Sequence, residues 1–491
     1  MKLFTIGDSI SQAFMSMAAA RTDLSYSTLL ARKLGLEPET NDYRYPDWPA
    51  GGLPINLERI MRTLTQRYGV DISGLEWLTV IQTINGVLDE AEDYYERGVG
   101  RADLPYQTPN GLTPNYFHNI AVTGFDVADA WLVTPEVCEQ ELGLHQRTVP
   151  SDGYLQGPSS AFYRTALKVL NPSLKRKYVK YSALDWLKTH AKEEGVENLV
   201  LWLGSNNALG TVINLKIQQT PNDPNRRPHT LSHFERSMRG WNLWHPADFE
   251  AEYSELLDRV DKIMENNTFD QWKVFIGTVP LVTIAPLAKG VGSSTYIPNY
   301  GFYYKYYTWF PFEEEFARET GKHLTMQDAL HIDNCIRAYN AFIQQQIAAR
   351  NAQHGRERYF VVDIAEALNQ IAYKRNNSSP TYDFPDVFDY IHPMVNTKYY
   401  HADQQGTLKQ GGIFGLDGVH PTVIGHGLVA FEFLKVMKDA GIVADTDLPW
   451  PEIFAADRLY QEPIPLMHEI YGRDALAQHI VGLIQLFGSR E

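Results

Sequence analysis

Cysteine is scarce in this chain, with Cys138 and Cys335 the only two among 491 residues. Two cysteines exclude a disulfide framework, and although one long-range bridge is compatible with the sequence, we expect two reduced, buried thiols. Neither belongs to a Cys-x-x-Cys pair, which argues against a cysteine-based zinc site. The 15 histidines include no His-Glu-x-x-His motif. We therefore expect no metal and no cofactor.

Long apolar runs are also lacking. Residues 3–6 near the N-terminus are too few for the apolar core of a signal peptide. The longest apolar stretch, residues 274–287, is interrupted by Pro280 and Pro286 and is too short to span a bilayer. We expect no transmembrane segment and, if Met1 is the native start, a cytoplasmic protein.

The chain has no excess of positive charge. It carries 44 Lys and Arg against 59 Asp and Glu, for a net charge of −15. Nucleic acids and anionic membranes both attract cationic surfaces, so we expect no nucleic-acid partner. The one short cationic run, residues 175–177, is interpreted as a solvated face.

Apolar residues are plentiful, at 44% of the chain, so a large buried core is easily built. Short apolar segments alternate with segments of helical spacing, which predicts an α/β fold with a parallel sheet covered on both faces. Strands are predicted at residues 2–6, 118–122, 199–203, 273–279 and 359–364.

The remaining segments are predicted to be insertions in one core, residues 1–440, rather than separate domains. Insertions are expected at about residues 211–246, 291–330 and 376–412, followed by a C-terminal helical extension over residues 441–491. The second insertion is densely aromatic between Tyr300 and Phe310. Its rings could line a substrate subsite or pack as a core, and packing is the interpretation we favour for most of them.

The first motif with chemical content is Gly7-Asp8-Ser9, directly after the first predicted strand. Parallel sheets place their ligand sites at the carboxyl ends of their strands, where a serine in a turn exposes its hydroxyl. An ordinary turn with Ser9 capping the next helix would have the same sequence.

The second motif is Asp417-Gly418-Val419-His420-Pro421. An aspartate three residues before a histidine can hold one ring nitrogen, which leaves the other nitrogen to act as a base toward a serine hydroxyl. A structural Asp–His contact that caps the following helix is the alternative.

Two further turns follow predicted strands. Asn206, in Gly204-Ser205-Asn206, could donate its side-chain amide to an oxyanion. Gly124 lets its backbone N–H approach a substrate closely. Either position could also be an ordinary turn residue.

Taken in order, these four motifs resemble the sequence blocks of the SGNH (GDSL-like) hydrolases. Gly7-Asp8-Ser9-Ile10 matches the first block, with Ile10 where the family usually has Leu. The segments ending at Gly124, at Asn207 and at Pro421 resemble the other three, with Asn207 where the family usually has Asp. The resemblance implies a three-layer α/β/α sandwich of flavodoxin-like topology, while the insertions have no template in the family.

The resemblance also implies a function, the cleavage of carboxylic esters from small molecules or lipids. Ser9 would be the nucleophile, His420 the base and Asp417 its orienting partner. The N–H groups of Ser9 and Gly124 and the Asn206 amide would form the oxyanion hole. Two alternatives stay open: acyl transfer to an alcohol by the same residues, and a catalytically silent binding protein. The oligomeric state is not predicted.

Overall fold

A computed structural model provides the structure of the protein. It describes residues 1–19, 21–38, 42–48, 52, 55–72, 76–108, 110–143, 158–472 and 474–488. Its strands are β1 Leu3–Gly7, β2 Phe14–Met15, β3 Ala18–Ala19, β4 Asn119–Ala121, β5 Asn198–Trp202, β6 Lys273–Gly277, β7 Ala288–Ile297, β8 Gly301–Trp309, β9 Leu324–Thr325, β10 Tyr359–Val362, β11 His401–Ala402 and β12 Leu408–Gln410.

The longer helices cover the sheet and the shorter ones belong mostly to the loops and the C-terminal region. They are α1 Tyr26–Lys33, α2 Leu57–Tyr68, α3 Trp77–Glu96, α4 Asp129–Leu132, α5 Pro135–Glu141, α6 Pro158–Leu170, α7 Ala183–Glu193, α8 Gly210–Asn214, α9 His233–Ser237, α10 Pro246–Met264, α11 Glu314–Thr320, α12 Met326–His354, α13 Ile364–Ile371, α14 Val423–Asp439, α15 Trp450–Ala456, α16 Arg458–Gln461, α17 Met467–Gly472 and α18 Asp474–Gly488.

The central sheet has five strands in the order β10-β6-β5-β1-β4. Every neighbouring pair is parallel. These are the five strands that the apolar runs predict, so the expected α/β fold with a parallel sheet is confirmed. The register pairs Gly7 with both Ala121 and Trp202, which brings the carboxyl ends of β4, β1 and β5 side by side.

Both faces of the sheet are buried, because successive residues of each strand enter two different hydrophobic cores. On β5, Leu199 and Leu201 belong to the core that includes helices α10 and α12. Val200 and Trp202 belong to the core that includes α1 and α14. A strand buried on both faces has no polar side to display, which explains why its sequence is continuously apolar.

The insertion at residues 291–330 contains structure that the sequence pattern did not predict, a hairpin of β7 and β8 joined to β9. Its turn places Asn299 and Gly301 at positive φ, 68° and 82°. Tyr303 and Tyr307 are fully buried, and Trp309 donates its indole N–H to the Ile213 carbonyl at 3.0 Å. Aromatic side chains on both faces of β8 conceal the alternation that normally identifies a half-buried strand.

The C-terminal region contains helices α15 to α18 within its described part. Residues 473 and 489–491 of the predicted extension lie outside the described residues. Buried residues such as Leu466, Met467 and Ile484 join the same core as the sheet. Both cysteines are buried and unpaired, as expected from their scarcity.

Candidate active site

The turn after β1 presents Ser9 at the carboxyl edge of the sheet. Backbone bonds close the turn, with Phe14 N–H donating to the Ser9 carbonyl at 2.9 Å and Gln12 N–H to the Asp8 carbonyl at 3.0 Å. Glycine is required just before it, because a Cβ atom on Gly7 would lie 2.1 Å from Ser11 Oγ. The geometry agrees with the general placement of ligand sites at strand ends.

A continuous hydrogen-bond chain joins three of the predicted site residues. His420 Nε2 lies 2.8 Å from Ser9 Oγ, and His420 Nδ1 lies 2.9 Å from Asp417 Oδ2. All three side chains are largely buried, and Phe14 packs against the His420 ring with centroids 5.2 Å apart. The structure thus brings together residues that are 411 positions apart in the chain.

Asp417 is held as an ionised acceptor. Its Oδ1 accepts from the N–H groups of Val419 and His420 at 2.8 and 2.9 Å, and its Oδ2 accepts from Met17 N–H at 2.7 Å. Burial alone would raise the pKa of this carboxyl, but the His420 imidazole and these hydrogen bonds outweigh it and lower the pKa. An ionised Asp417 fixes the orientation of His420 and stabilises the imidazolium that proton transfer creates.

The carboxyl of Asp8, next to Ser9, has the opposite electrostatic behaviour. Asp8 is 2% exposed and accepts one backbone bond, from Ile10 N–H at 3.0 Å. Burial is the largest influence and raises the pKa of Asp8 to about 6, against the smaller opposing effects of that bond and of His420. Between the lowered pKa of Asp417 and the raised pKa of Asp8, Asp417 is therefore ionised while Asp8 is neutral.

The predicted oxyanion donors follow three neighbouring strands, with Gly124 after β4, Ser9 after β1 and Asn206 after β5. Among the described residues, the main-chain N–H groups of Ser9 and Gly124 donate to no protein acceptor. Asn206 Nδ2 donates one hydrogen to the Phe125 carbonyl at 2.9 Å and retains a second N–H. Gly124 has φ of 78°, a conformation that favours glycine. These donors have the chemistry that an oxyanion hole needs.

Behind these donors lies a buried ionic network that no sequence motif predicts. The Arg236 guanidinium lies 2.8 Å from Asp126 and 2.9 Å from Glu252. Asn207 connects helix α10 to the turn after β4, since its amide donates to Glu252 at 3.4 Å and its carbonyl oxygen accepts from Val127 N–H at 3.3 Å. An aspartate at position 207 could not donate to Glu252 and would add another carboxylate to this network.

An apolar cavity of about 100 Å³ opens beside Ser9 and His420. Its walls come from the loop after β6 and from helices α13 and α14, and they include Leu281, Ile364, Ala367, Leu368, Ile371 and Leu428. Its polar lining is confined mainly to Ser9, His420, Ser205 and the Tyr382–Glu432 pair.

A second cavity, of about 90 Å³, adjoins Gly124 and Asn206. Its lining is mixed but more polar than that of the first cavity, and it includes residues of the predicted insertion at 211–246 such as Asn214, Ser237, Trp241 and Asn242. We call it the polar cavity. The Leu209 side chain lines both cavities and so marks the place where they adjoin.

The aromatic segment between Tyr300 and Phe310 contributes no lining residue to either cavity within the part of the chain that the structure describes. Tyr303, Tyr307 and Phe310 are instead almost fully buried. The packing interpretation of this insertion therefore fits the structure better than a subsite beside Ser9.

One group of side chains has the composition of a metal site. Ligand atoms of Asp71, His468 and Glu469 lie within 4.8 Å of one another. None of the three lines either cavity beside the triad, and His468 Nε2 already bonds to Asp71 Oδ1 at 2.9 Å. We assign this group no part in the chemistry of Ser9.

In comparisons with known proteins, no family model, no curated protein and no solved structure matches the chain. Across the described ranges, the structure contains no helix with both the length and the apolar character needed to cross a bilayer.

Proposed function

We propose that this protein is a serine hydrolase of the SGNH type that cleaves carboxylic esters. The observation that carries the proposal is the hydrogen-bond chain from Asp417 through His420 to Ser9, with successive distances of 2.9 and 2.8 Å. Such a chain supplies a nucleophile, a base and an orienting carboxylate in the required sequence.

The reaction would proceed through an acyl-enzyme. His420 Nε2 takes the proton of the Ser9 hydroxyl as Oγ attacks the ester carbonyl carbon. The tetrahedral oxyanion is held by the N–H groups of Ser9 and Gly124 and by the Asn206 amide, and His420 then protonates the departing alcohol oxygen. A water molecule deprotonated by His420 attacks the acyl group on Ser9, and release of the acid restores the hydroxyl.

The topology of the sheet supports this proposal. When the strands are numbered in chain order within the sheet, the order from β4 to β10 becomes 2-1-3-4-5. This is the flavodoxin-like order, in which ligands bind at the carboxyl ends of the strands where the winding direction reverses. The reversal lies between β1 and β5, and Ser9 follows the first of these two strands.

The apolar cavity supports a carboxylic ester with an acyl chain. Its walls are formed by Leu, Ile and Ala side chains, and they begin at the nucleophile itself. Burial of one methylene group in such surroundings contributes about 0.8 kcal/mol. An acyl chain that enters this cavity would therefore increase kcat/KM with each added carbon until the cavity is full.

The proposal is tested by assaying Ser9→Ala and His420→Ala against p-nitrophenyl esters of two to twelve carbons. Either substitution should lower kcat by about 10⁴-fold or more, because the triad acts as a unit. Ser294→Ala, at an exposed serine, is the matched control and should retain wild-type turnover. Labelling by a fluorophosphonate probe should require Ser9. Wild-type turnover in Ser9→Ala, or a wild-type protein that neither labels nor cleaves any ester, would refute the proposal.

A further inference from the structure

The polar cavity is positioned to contact the half of the substrate that leaves. It is bordered by Gly124 and Asn206, which under the proposed function hold the oxyanion, and it adjoins the apolar cavity at Leu209. An ester carbon held at Ser9 thus has an acyl-sized apolar space on one side and this polar space on the other. The inference rests on the proposed function in this respect.

The lining offers neutral hydrogen-bonding groups with capacity to spare. Among the described residues, the Asn214 side chain makes no hydrogen bond. Asn242 Nδ2 donates one hydrogen to the Lys216 carbonyl at 3.0 Å, and Ser237 Oγ donates to the Phe234 carbonyl at 2.9 Å, which leaves the serine lone pairs to accept. Amides and hydroxyls offer donors and acceptors together, which is the pattern that an alcohol hydroxyl matches.

An aromatic ring accompanies these groups. Trp241 borders the cavity, is half-buried, and packs edge-to-face on Trp244 with ring centroids 6.4 Å apart. A tryptophan ring combines a large apolar surface with a polar N–H, so it suits a ligand that has both C–H and O–H groups.

The charges around the cavity disfavour an anionic ligand. Arg236 is the guanidinium that lines it, and this group is already bonded to Asp126 and Glu252 at 2.8 and 2.9 Å. Two carboxylates against one guanidinium leave Arg236 without spare positive charge, while a second guanidinium, that of Arg239, lies 5.9 Å from the centroid of the Trp241 ring. A phosphate in the same place would face those carboxylates at close range.

We propose that this cavity binds the alcohol portion of the ester and that this portion is a neutral polyol. Sugars and glycerol share the required chemistry, several hydroxyls on a compact carbon frame. The apolar cavity then selects the acyl chain and the polar cavity selects the alcohol.

The first experiment compares four octanoyl esters on the wild-type protein: octanoylglucose, 1-octanoylglycerol, ethyl octanoate and 1-octanoyl-glycerophosphocholine. At least one of the two polyol esters should exceed ethyl octanoate in kcat/KM by about tenfold or more, the factor expected from two added hydrogen bonds. The faster of the two identifies the source of the polyol. Turnover of ethyl octanoate without any polyol advantage, or preference for the phosphocholine ester, would overturn this inference and leave the proposed function intact. Failure to cleave any of the four would instead count against the hydrolase itself.

The second experiment tests the cavity directly with Trp241→Ala and Asn214→Leu. Each should reduce the ratio of polyol-ester to ethyl-ester kcat/KM by about threefold to tenfold, since each removes contacts worth one hydrogen bond or a similar packing contribution. Asn214→Leu retains the side-chain shape and keeps the test valid if Trp241→Ala folds poorly. Trp131→Ala, at a tryptophan that lines neither cavity, is the matched control and should leave the ratio unchanged. A ratio that stays at the wild-type value in both cavity variants would refute the assignment.

Discussion

The cavity beside Ser9 and the cavity beside Gly124 share Leu209 but differ in what surrounds them. Leu, Ile and Ala side chains from core helices α13 and α14 form much of the first. Amide, hydroxyl and indole groups form much of the second, and most of them belong to the predicted insertion at residues 211–246.

This difference indicates which parts of the chain form which part of the candidate site. The strand ends place Ser9 and the proposed oxyanion donors, and the core helices leave an apolar space beside them. The polar space depends on an added segment whose buried charges must compensate one another. We therefore expect substitutions on the polar side to affect stability through electrostatics, and substitutions on the apolar side to act through volume.

The largest expected effect concerns Arg236, on the polar side. Arg236→Met leaves Asp126 and Glu252 buried without their cation, which should destabilise the fold by about 3 to 5 kcal/mol. The measurement is chemical denaturation followed by tryptophan fluorescence. Arg259→Met is the control, because Arg259 pairs with Glu255 at the surface and should cost less than about 1 kcal/mol. Equal stability of the two variants would contradict the difference drawn between the two sides.

Asn206 borders the polar cavity, but its proposed role is to hold the oxyanion, so its loss should not distinguish alkyl from polyol esters. Asn206→Ala removes one oxyanion donor and should lower kcat by about 10²- to 10³-fold, or about 3 to 4 kcal/mol of barrier. KM should change little, since the donor acts on the charge that develops in the transition state. The loss should be the same for alkyl and polyol esters. A loss confined to polyol esters would mean that Asn206 recognises the alcohol and does not hold the oxyanion.

The pH dependence of stability provides a test on the side of the first cavity, where Asp8 directly precedes Ser9. The folded-state pKa of Asp8 is raised to about 6, so between pH 4 and 6 the unfolded chain has lost this proton while the folded chain retains it. Stability from this group is therefore lost as pH rises through that window. Relative to wild type, Asp8→Asn should gain about 2 to 3 kcal/mol between pH 4 and pH 7.

The measurement for Asp8 is the difference in unfolding free energy between variant and wild type at each pH, because other buried groups titrate in the same range. His118 and His426 have pKa values lowered to about 3 by burial and contribute with the opposite sign. Their contributions cancel in the difference. A difference that stays constant from pH 4 to pH 7 would show that Asp8 does not titrate as described.

The smallest effect is expected from filling the apolar cavity. Ala367→Leu adds three carbons to its wall and should displace the end of a long acyl chain, at a cost of about 2 kcal/mol of transition-state binding. The ratio of kcat/KM for octanoyl and acetyl esters should fall by about thirtyfold, the equivalent of that energy. Acetyl ester turnover is the internal control. An unchanged ratio would place the acyl chain elsewhere.

Prediction from the sequence succeeded where the signal was local or continuous. Apolar runs identified all five strands of the sheet, and the short spacing in Asp417-x-x-His420 predicted the contact that the structure shows at 2.9 Å. The β7–β8 hairpin was missed because its aromatic residues occupy both faces of β8. The Arg236 network was missed because neither Asp126 nor Glu252 lies near it in a recognisable motif, and each alone resembles a solvated charge.

The chain by itself determined the elements and the local partners of the candidate site. Strand formation depends on the side chains of a few consecutive residues, and the Asp417–His420 contact spans a single turn. The tertiary structure alone decided that Ser9 meets His420, that an apolar cavity and a more polar one adjoin at Leu209, and that Arg236 pairs with two buried acids. Contacts between residues hundreds of positions apart depend on how helices and strands pack, and packing is a property of the whole fold that no short segment encodes.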